Sequence, residues 1–343
     1  MHVHSKSPLS NLAPTLAQFL EKTYPADRPG ATVVIAREGC ILHRAAYGLA
    51  DLQKGTPMSI DSVFRIGSLT KQFTAAAIML LQERGQLAVQ DTLHTHLPNY
   101  PKQGRGIRLA HLLNHTAGLV CFTDSEAFEA IEAQDLSHKQ VLDLFQHAPL
   151  MAAPGAKFSY SNSGYFLLGL VIEAVSGTGL AQFFDENLFK PLNMRSTALE
   201  GFGDLWPIQG YTEEPDLQLA PPVSMAIPYA AGALVSTIDD MTRWENSIAQ
   251  ESLLPAAAWQ QMWATTALPS GESNDYGYGF ERRRLHDLDL IDHDGGISGF
   301  ASYSARTADG SLFVCVLSNN DSGSPSTIDV GETLLQALAN ASD

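Results

Sequence analysis

The sequence predicts an α+β fold (an α/β sandwich) in which helices flank one antiparallel sheet and a mostly helical segment is inserted. Strand-like runs lie near the N-terminus, further strand-like runs follow Gly277, and the long middle of the chain is helical and irregular. Because strands at both ends of the chain need partners, we expect them to share one sheet. We therefore expect residues 1–75 and 225–343 to form the sheet domain and residues 76–224 the helical domain, with the functional site in the cleft between them.

The N-terminal elements are indicated by apolar spacing. Residues 15–23 have the pattern of a short amphipathic helix. Two runs with strand-like composition, 32–37 and 41–47, flank a glycine turn and predict a hairpin. From Ser68 to Arg84 apolar residues recur on one helical face, and Gly85 stands where a left-handed C-terminal cap belongs.

The middle and C-terminal elements follow from the same patterns. Helices are predicted over residues 108–114, 139–147, 165–175, 180–189 and 330–339. Ser236 with Asp239 indicates the start of another helix by a capping box. Successive strands are predicted over residues 279–285, 288–293, 300–306 and 311–319.

The composition excludes several classes of function. The 343 residues are 45% hydrophobic and 17% charged, which is typical of a globular protein. The net charge of −16 disfavours nucleic acid and anionic membranes as partners, because both attract basic patches. No apolar run approaches the roughly 18 residues of a membrane span. The three cysteines are far apart, so we expect free thiols and not a disulfide framework or a zinc site.

The N-terminal residues Met1 to Ala13 lack the apolar segment of a secretory signal. We therefore expect a cytoplasmic protein, or a periplasmic or secreted one if a signal peptide has been removed. The oligomeric state is left open by the sequence.

Ser68 and Lys71 form the first candidate catalytic pair. Ser68 is expected at a helix start, beside free backbone N–H groups and the positive end of the helix dipole. Lys71 lies three residues later, on the same face. A serine hydroxyl becomes a good nucleophile when a neighbouring base accepts its proton, and a buried lysine with a lowered pKa can be that base.

Two further motifs carry candidate functional groups. Tyr160 and Asn162 precede a predicted helix, where a phenol can relay a proton and an amide can orient a substrate carbonyl. His293, Gly295 and Gly296 lie at the end of a predicted strand. There the histidine can adjust local charge, the glycines permit close approach of a substrate, and the Gly296 N–H can donate to an oxyanion.

Each motif taken alone is explained at least as well by a structural role: a helix cap, a turn with a half-buried tyrosine, or a glycine-rich turn. The hypothesis depends on their conjunction, because SxxK, YxN and HxG occur in this order at a helix start, a helix-entry loop and a strand edge. No GxSxG elbow, P-loop or GxGxxG motif is present, and the histidine pairs lack a third ligand, so no metal or cofactor is expected.

The chain resembles the serine β-lactamase-related hydrolases, which include class C β-lactamases, penicillin-binding proteins, D-peptidases and β-lactamase-like esterases. The resemblance covers about residues 30–320. It is carried by FRIGSLTKQF at 64–73, HLLNHTAGL at 111–119, YSNSGY at 160–165, YGYGF at 276–280 and the segment 293–319. It implies a β-lactamase/transpeptidase-like fold, an acyl-enzyme on Ser68 with Lys71 and Tyr160 as catalytic groups, and substrate contacts at Asn162, His293, Gly295 and Gly296.

One departure from the family pattern bears on the substrate. Class C β-lactamases and DD-peptidases typically carry lysine where this chain has His293, and that lysine helps to bind a substrate carboxylate. The triplet His-Asp-Gly resembles related esterases and some D-amino-acid amidases or peptidases. We therefore expect a small ester, amide or short peptide as substrate.

Three hypotheses stay open at this point. The first is an esterase or amidase, the second a D-amino-acid peptidase or β-lactamase acting on cell-wall-like substrates, and the third a non-catalytic binding protein that retains the fold. The loops 119–137 and 201–228 are expected to line the pocket and to decide the substrate.

Overall fold

The computed structural model describes residues 8–125, 128 and 130–341, with side chains from residue 14 onward within those ranges. The α-helices of this part are, in order, α1 (Pro8–Thr23), α2 (Thr70–Glu83), α3 (Leu93–His96), α4 (Leu109–Leu113), α5 (His138–Asp143), α6 (Asn162–Ser176), α7 (Leu180–Phe184), α8 (Ile238–Ala249), α9 (Ala256–Met262) and α10 (Thr327–Asn340). The strands are β1 (Ala31–Arg37), β2 (Cys40–Tyr47), β3 (Leu49–Asp51), β4 (Thr56–Pro57), β5 (Phe64–Arg65), β6 (Ala198–Leu199), β7 (Tyr211–Thr212), β8 (Gln218–Leu219), β9 (Leu234–Ser236), β10 (Thr266–Ala267), β11 (Ser273–Asn274), β12 (Glu281–Leu285), β13 (Leu288–Ile297), β14 (Phe300–Thr307) and β15 (Leu312–Ser318).

A six-stranded sheet built from both ends of the chain is the centre of the fold. Its order is β12-β13-β14-β15-β1-β2, and every neighbouring pair is antiparallel. The N-terminal strand β1 pairs with the late strand β15 in a register that sets Val33 opposite Val316. The predicted α+β fold with one antiparallel sheet is thus confirmed.

Both faces of this sheet are covered. Val33 and Ile35 of β1 belong to a core with residues of α1 and α10, whereas Val34 and Ala36 belong to the larger core that contains α2 and α6. Alternate residues of a strand point to opposite faces, so an element buried on both sides reads as a continuous apolar run.

A second, three-stranded sheet has the order β5-β9-β6, and its strand β5 directly precedes the segment that contains Ser68. Arg65 of β5 pairs with Val235 of β9, and Ala198 of β6 pairs with the same residue from the other side. Residues from within 76–224 therefore pair with strands from outside that range. The division into a sheet domain and a helical domain stays a prediction.

Helix starts differ from the sequence-based expectation at two places. Ser68 lies in a 3-10 turn, Gly67–Leu69, which leads into α2 at Thr70. The expectation that Ser236 caps the helix after it is wrong, because Ser236 ends β9 and Thr237 accepts the N–H of Asp240. Ser236 and Thr237 both carry a hydroxyl that can cap a helix. Because Ser236 is paired within the sheet, Thr237 is the residue that caps.

Within the described residues, no helix taken singly has both the length and the apolar character needed to span a membrane. One pair of helical segments, Asn162–Ser176 and Leu180–Phe189, meets those criteria jointly with a bend of 77°.

Candidate active site

The Ser68 turn is held against the end of β13. Gly67 has a φ of +50°, and a Cβ added there would lie 3.0 Å from the Gly296 nitrogen. A Cβ on Gly295 would lie 2.2 Å from the Ile66 carbonyl oxygen, so this glycine lets the chain's own backbone approach closely. The serine turn and the glycine-edged strand are thereby brought into contact.

Lys71 lies one helical turn after Ser68 and is completely buried. Its Nζ is 2.9 Å from the Ser68 Oγ, 2.8 Å from the Asn162 Oδ1 and 2.8 Å from the Ala231 carbonyl oxygen. The Asn162 amide is oriented by its Nδ2, which donates to the Thr123 hydroxyl at 3.1 Å. The Asn162 amide oxygen and the Ala231 carbonyl oxygen can only accept hydrogen bonds, so each accepts one N–H group of Lys71. The remaining tetrahedral position of the Lys71 nitrogen is then directed at Ser68.

Burial changes the protonation of Lys71. It lowers the pKa of the Lys71 amine from 10.5 to about 7, against the opposing charges of Cys121 and Asp294. A neutral amine has two N–H groups and one lone pair. With both N–H groups engaged by Asn162 and Ala231, the lone pair is left for the proton of the Ser68 hydroxyl.

Tyr160 also lies beside the nucleophile. Burial raises the pKa of the Tyr160 phenol above its ordinary value of 10.0, while a hydrogen bond with Ser68 lowers it in part. The phenol therefore keeps its proton at neutral pH. The Lys71 Nζ is 4.8 Å from the centre of the Tyr160 ring. Tyr160 is thus placed to donate a proton beside the serine, and Lys71 is placed to accept one.

His293 is buried, and both of its ring nitrogens have partners within the protein. Its Nε2 is 2.7 Å from the Tyr276 hydroxyl, and its Nδ1 contacts the Asp294 carbonyl. Because a carbonyl only accepts, Nδ1 carries the proton and Nε2 accepts from Tyr276. Burial, together with the charge of Lys71, lowers the pKa of His293 below 6.5, so the imidazole is neutral at neutral pH.

A cavity of about 280 Å³ opens onto the nucleophile. Its lining residues are Gly67, Ser68, Thr123, Phe128, Glu132, Asn162, Val223, Ile227, Pro228, Ala231, Gly232, Gly296, Ile297 and Ser298. The loops 119–137 and 201–228 thus form two of its walls, as the sequence predicted. Ser68, Asn162 and Gly296 face this cavity, whereas His293 and Gly295 are not among the lining residues.

Several residues of the site were not predicted as functional. The Ala231 carbonyl accepts from Lys71, and Tyr276 bonds to His293. His115 accepts the Ser161 N–H at 3.1 Å, and its ring centre is 4.2 Å from that of Tyr160. His115 lies in the HLLNHTAGL segment, which the sequence assigns to the scaffold. The family resemblance of this segment was the one signal in the sequence that pointed to His115.

Within the described residues, no group of three or more His, Cys, Asp or Glu side chains is arranged to hold a metal ion. The polar groups around Ser68 are two acceptors bonded to Lys71, a phenol and backbone N–H groups. Such a set is suited to proton transfer and to stabilising a developing oxyanion.

Comparison with known proteins agrees with this geometry. The Beta-lactamase family model matches residues 17–339. Penicillin-binding protein 4* of Bacillus subtilis is 28% identical over 313 residues, which are 84% of this chain and 68% of that protein. A D-aminopeptidase of Gluconobacter oxydans is 24% identical and is matched over 85% of this chain and 56% of its own length. The chain therefore spans about half to two thirds of these relatives.

Solved structures of a penicillin-binding protein homologue and of an amidohydrolase are also similar to this chain over most of its length. The octameric penicillin-binding protein homologue from Pyrococcus abyssi has a TM-score of 0.83 and 25% identity, over 95% of this chain and 77% of that one. A D-stereospecific amidohydrolase from Streptomyces sp. has a TM-score of 0.78 and 26% identity, over 93% of this chain and 98% of that one. With a family model matched over almost its whole length, this chain belongs to the beta-lactamase family, a family of serine hydrolases that act on ester and amide bonds.

Proposed function

We propose that the protein cleaves small carboxylic esters or amides through an acyl-enzyme formed on Ser68. The observation that carries this proposal is the Lys71 amine, buried and lowered in pKa to about 7, at 2.9 Å from the Ser68 hydroxyl. A base with this pKa is half deprotonated near neutral pH, where general base catalysis is most effective.

The reaction begins when the Ser68 Oγ attacks the substrate carbonyl carbon and its proton passes to the Lys71 Nζ. The oxyanion that forms is held by the backbone N–H groups of Ser68 and Gly296; one such donor contributes about 3 kcal/mol in a serine protease. The carbon–oxygen or carbon–nitrogen bond then breaks. Tyr160 gives its proton to the leaving group and regains one from Lys71.

Water completes the cycle. A water molecule loses a proton to the Tyr160–Lys71 pair and attacks the acyl carbon. The acid product leaves, and the proton returns to the Ser68 Oγ. These steps require no redox change, because Ser68 replaces the leaving group on the acyl carbon and water then replaces Ser68.

An esterase or amidase fits the site better than a β-lactamase. A β-lactam carries a carboxylate, and His293 offers it no positive charge because the imidazole is neutral and bonded to Tyr276. A D-amino-acid peptidase or amidase remains the second candidate, supported by the relative named D-aminopeptidase. The connected Ser68, Lys71 and Asn162 side chains argue against a binding protein without catalysis.

Covalent labelling tests the nucleophile. We expect a fluorophosphonate to add one phosphonyl group per chain, with the added mass on the peptide that contains Ser68, because an activated serine attacks such reagents. The Ser68→Ala variant should stay unlabelled under the same conditions. Intact-mass and peptide mass spectrometry measure both. Equal labelling of the wild type and the variant would remove Ser68 as the nucleophile.

The Tyr160→Phe variant tests the proton donor. We expect kcat to fall at least ~100-fold, since loss of a positioned acid or base typically has an effect of this size. The fall should be larger for an anilide than for a p-nitrophenyl ester, whose leaving group needs no proton. Steady-state assays with both substrates measure the contrast. Equal losses on both substrates would contradict the role of Tyr160 as leaving-group acid.

A further inference from the structure

The cavity in front of Ser68 has an unusual balance of charge. Among its described lining residues, Glu132 is the one acidic side chain, and none is basic. We propose that Glu132 makes the enzyme selective for acyl donors that carry an ammonium group beside an apolar side chain. This inference rests on the proposed acyl-enzyme function and concerns which acyl group is chosen.

The backbone holds Glu132 in the cavity wall. Its N–H donates to the Phe128 carbonyl at 2.9 Å, and its own carbonyl accepts the Ser224 N–H at 2.7 Å. The second bond ties the loop 119–137 to the loop 201–228, so both walls are fixed to each other. Neither bond involves the carboxylate, and a substitution of the side chain leaves both in place.

The Glu132 carboxylate is half-buried and has no cationic partner among the described residues. Two other carboxylates with little exposure are each paired with a cation. Glu200 binds Arg65 at 2.7 Å, and the buried Asp240 binds Arg243 at 2.6 Å. A charge in a partly apolar site is stabilised by an opposite charge that donates hydrogen bonds to it. At Glu132 the described residues supply no such partner, and a substrate ammonium bound in the cavity would supply one.

The rest of the wall defines the acyl group further. Phe128, Val223, Ile227 and Ile297 give the cavity that Glu132 also lines an apolar surface. An acyl group with an apolar side chain fills that surface while its ammonium reaches Glu132. Such groups are found in aminoacyl esters and amides. A substrate carboxylate in the same place would be repelled.

The experiment compares two p-nitroanilides that differ in one charge. Phenylalanine p-nitroanilide, as each enantiomer, is set against 3-phenylpropanoyl p-nitroanilide, which lacks the amine. The pH is about 6.5, below the ordinary pKa of an α-amino group. We expect the wild type to favour the better phenylalanine enantiomer by about tenfold or more in kcat/KM, and Glu132→Gln to lower that ratio by about tenfold or more.

Asp135→Asn is the matched control. It removes the same formal charge three residues away, from an exposed side chain that does not line this cavity. Its preference ratio should stay within about threefold of the wild type, because an exposed charge outside the cavity is screened. Equal loss in Asp135→Asn and Glu132→Gln would show a general field effect and overturn the assignment of Glu132.

The remaining outcomes separate this inference from the proposed function. Hydrolysis of both substrates without preference, or a ratio that Glu132→Gln leaves unchanged, would overturn the role of Glu132 while turnover through Ser68 stands. Absence of hydrolysis together with absence of fluorophosphonate labelling would overturn the proposed function itself. Glu132→Lys gives a second check. This variant should hydrolyse 4-carboxybutanoyl p-nitroanilide with a higher kcat/KM than phenylalanine p-nitroanilide, which reverses the preference for a cationic acyl group.

Discussion

Replacing Ser68 by alanine is expected to lower kcat/KM for a p-nitrophenyl ester by about 10⁴-fold or more, because loss of a nucleophile removes the covalent route altogether. The change deletes one hydroxyl, the Lys71 partner at 2.9 Å, and leaves the other two acceptors of the amine in place. The measurement is initial rates of ester hydrolysis, corrected for hydrolysis by buffer, with protein concentration set by absorbance.

The control for this variant is Ser270→Ala. Ser270 is exposed, bonds to Glu272 and does not line the cavity, so the variant should keep wild-type rates within about threefold. Thermal melting of both variants checks that the fold is intact. Rates of Ser68→Ala close to those of the wild type, in a protein that melts normally, would mean that another residue attacks the substrate.

The sheet was predictable because its strands are long and buried on both faces. β1 and β15 each run for seven residues with almost every side chain buried, which gives both of them a nearly continuous apolar signal in the sequence. The small sheet of β5, β9 and β6 was not predicted. Strands of two or three residues are too short to show a recognisable alternating pattern, so their pairing is decided by the packing around them.

The candidate site was predictable for a different reason. Ser68 and Lys71 lie within one helical turn, where spacing in sequence fixes proximity in space. The Ala231 carbonyl meets Lys71 across 160 residues of chain and contributes only backbone, which leaves no side-chain signal. The orientation of His293 was not predicted either, because it depends on the hydrogen bond between the Tyr276 hydroxyl and the imidazole.

The Lys71→Met variant is expected to lose at least ~10³-fold in kcat/KM, since methionine keeps an unbranched chain but cannot accept the Ser68 proton. Lys71→Ala should be equally inactive, but it also leaves a cavity at a completely buried position. The pH profile identifies the cause of the loss. The kcat/KM of the wild type should rise through pH about 7 as the amine deprotonates, and the residual rate of Lys71→Met should lack this limb.

The pH dependence of stability gives an independent measure of the protonation of Lys71. The pKa of Lys71 lies at about 7 in the folded protein and at the ordinary value of 10.5 in the unfolded chain. Between these pH values the unfolded chain binds a proton that the folded protein has released, so the wild type gains stability as the pH rises. Relative to Lys71→Met, its Tm should therefore increase from pH about 7 upward. A constant difference in Tm, together with an unchanged acid limb in the variant, would mean that Lys71 stays charged and that another group is the base.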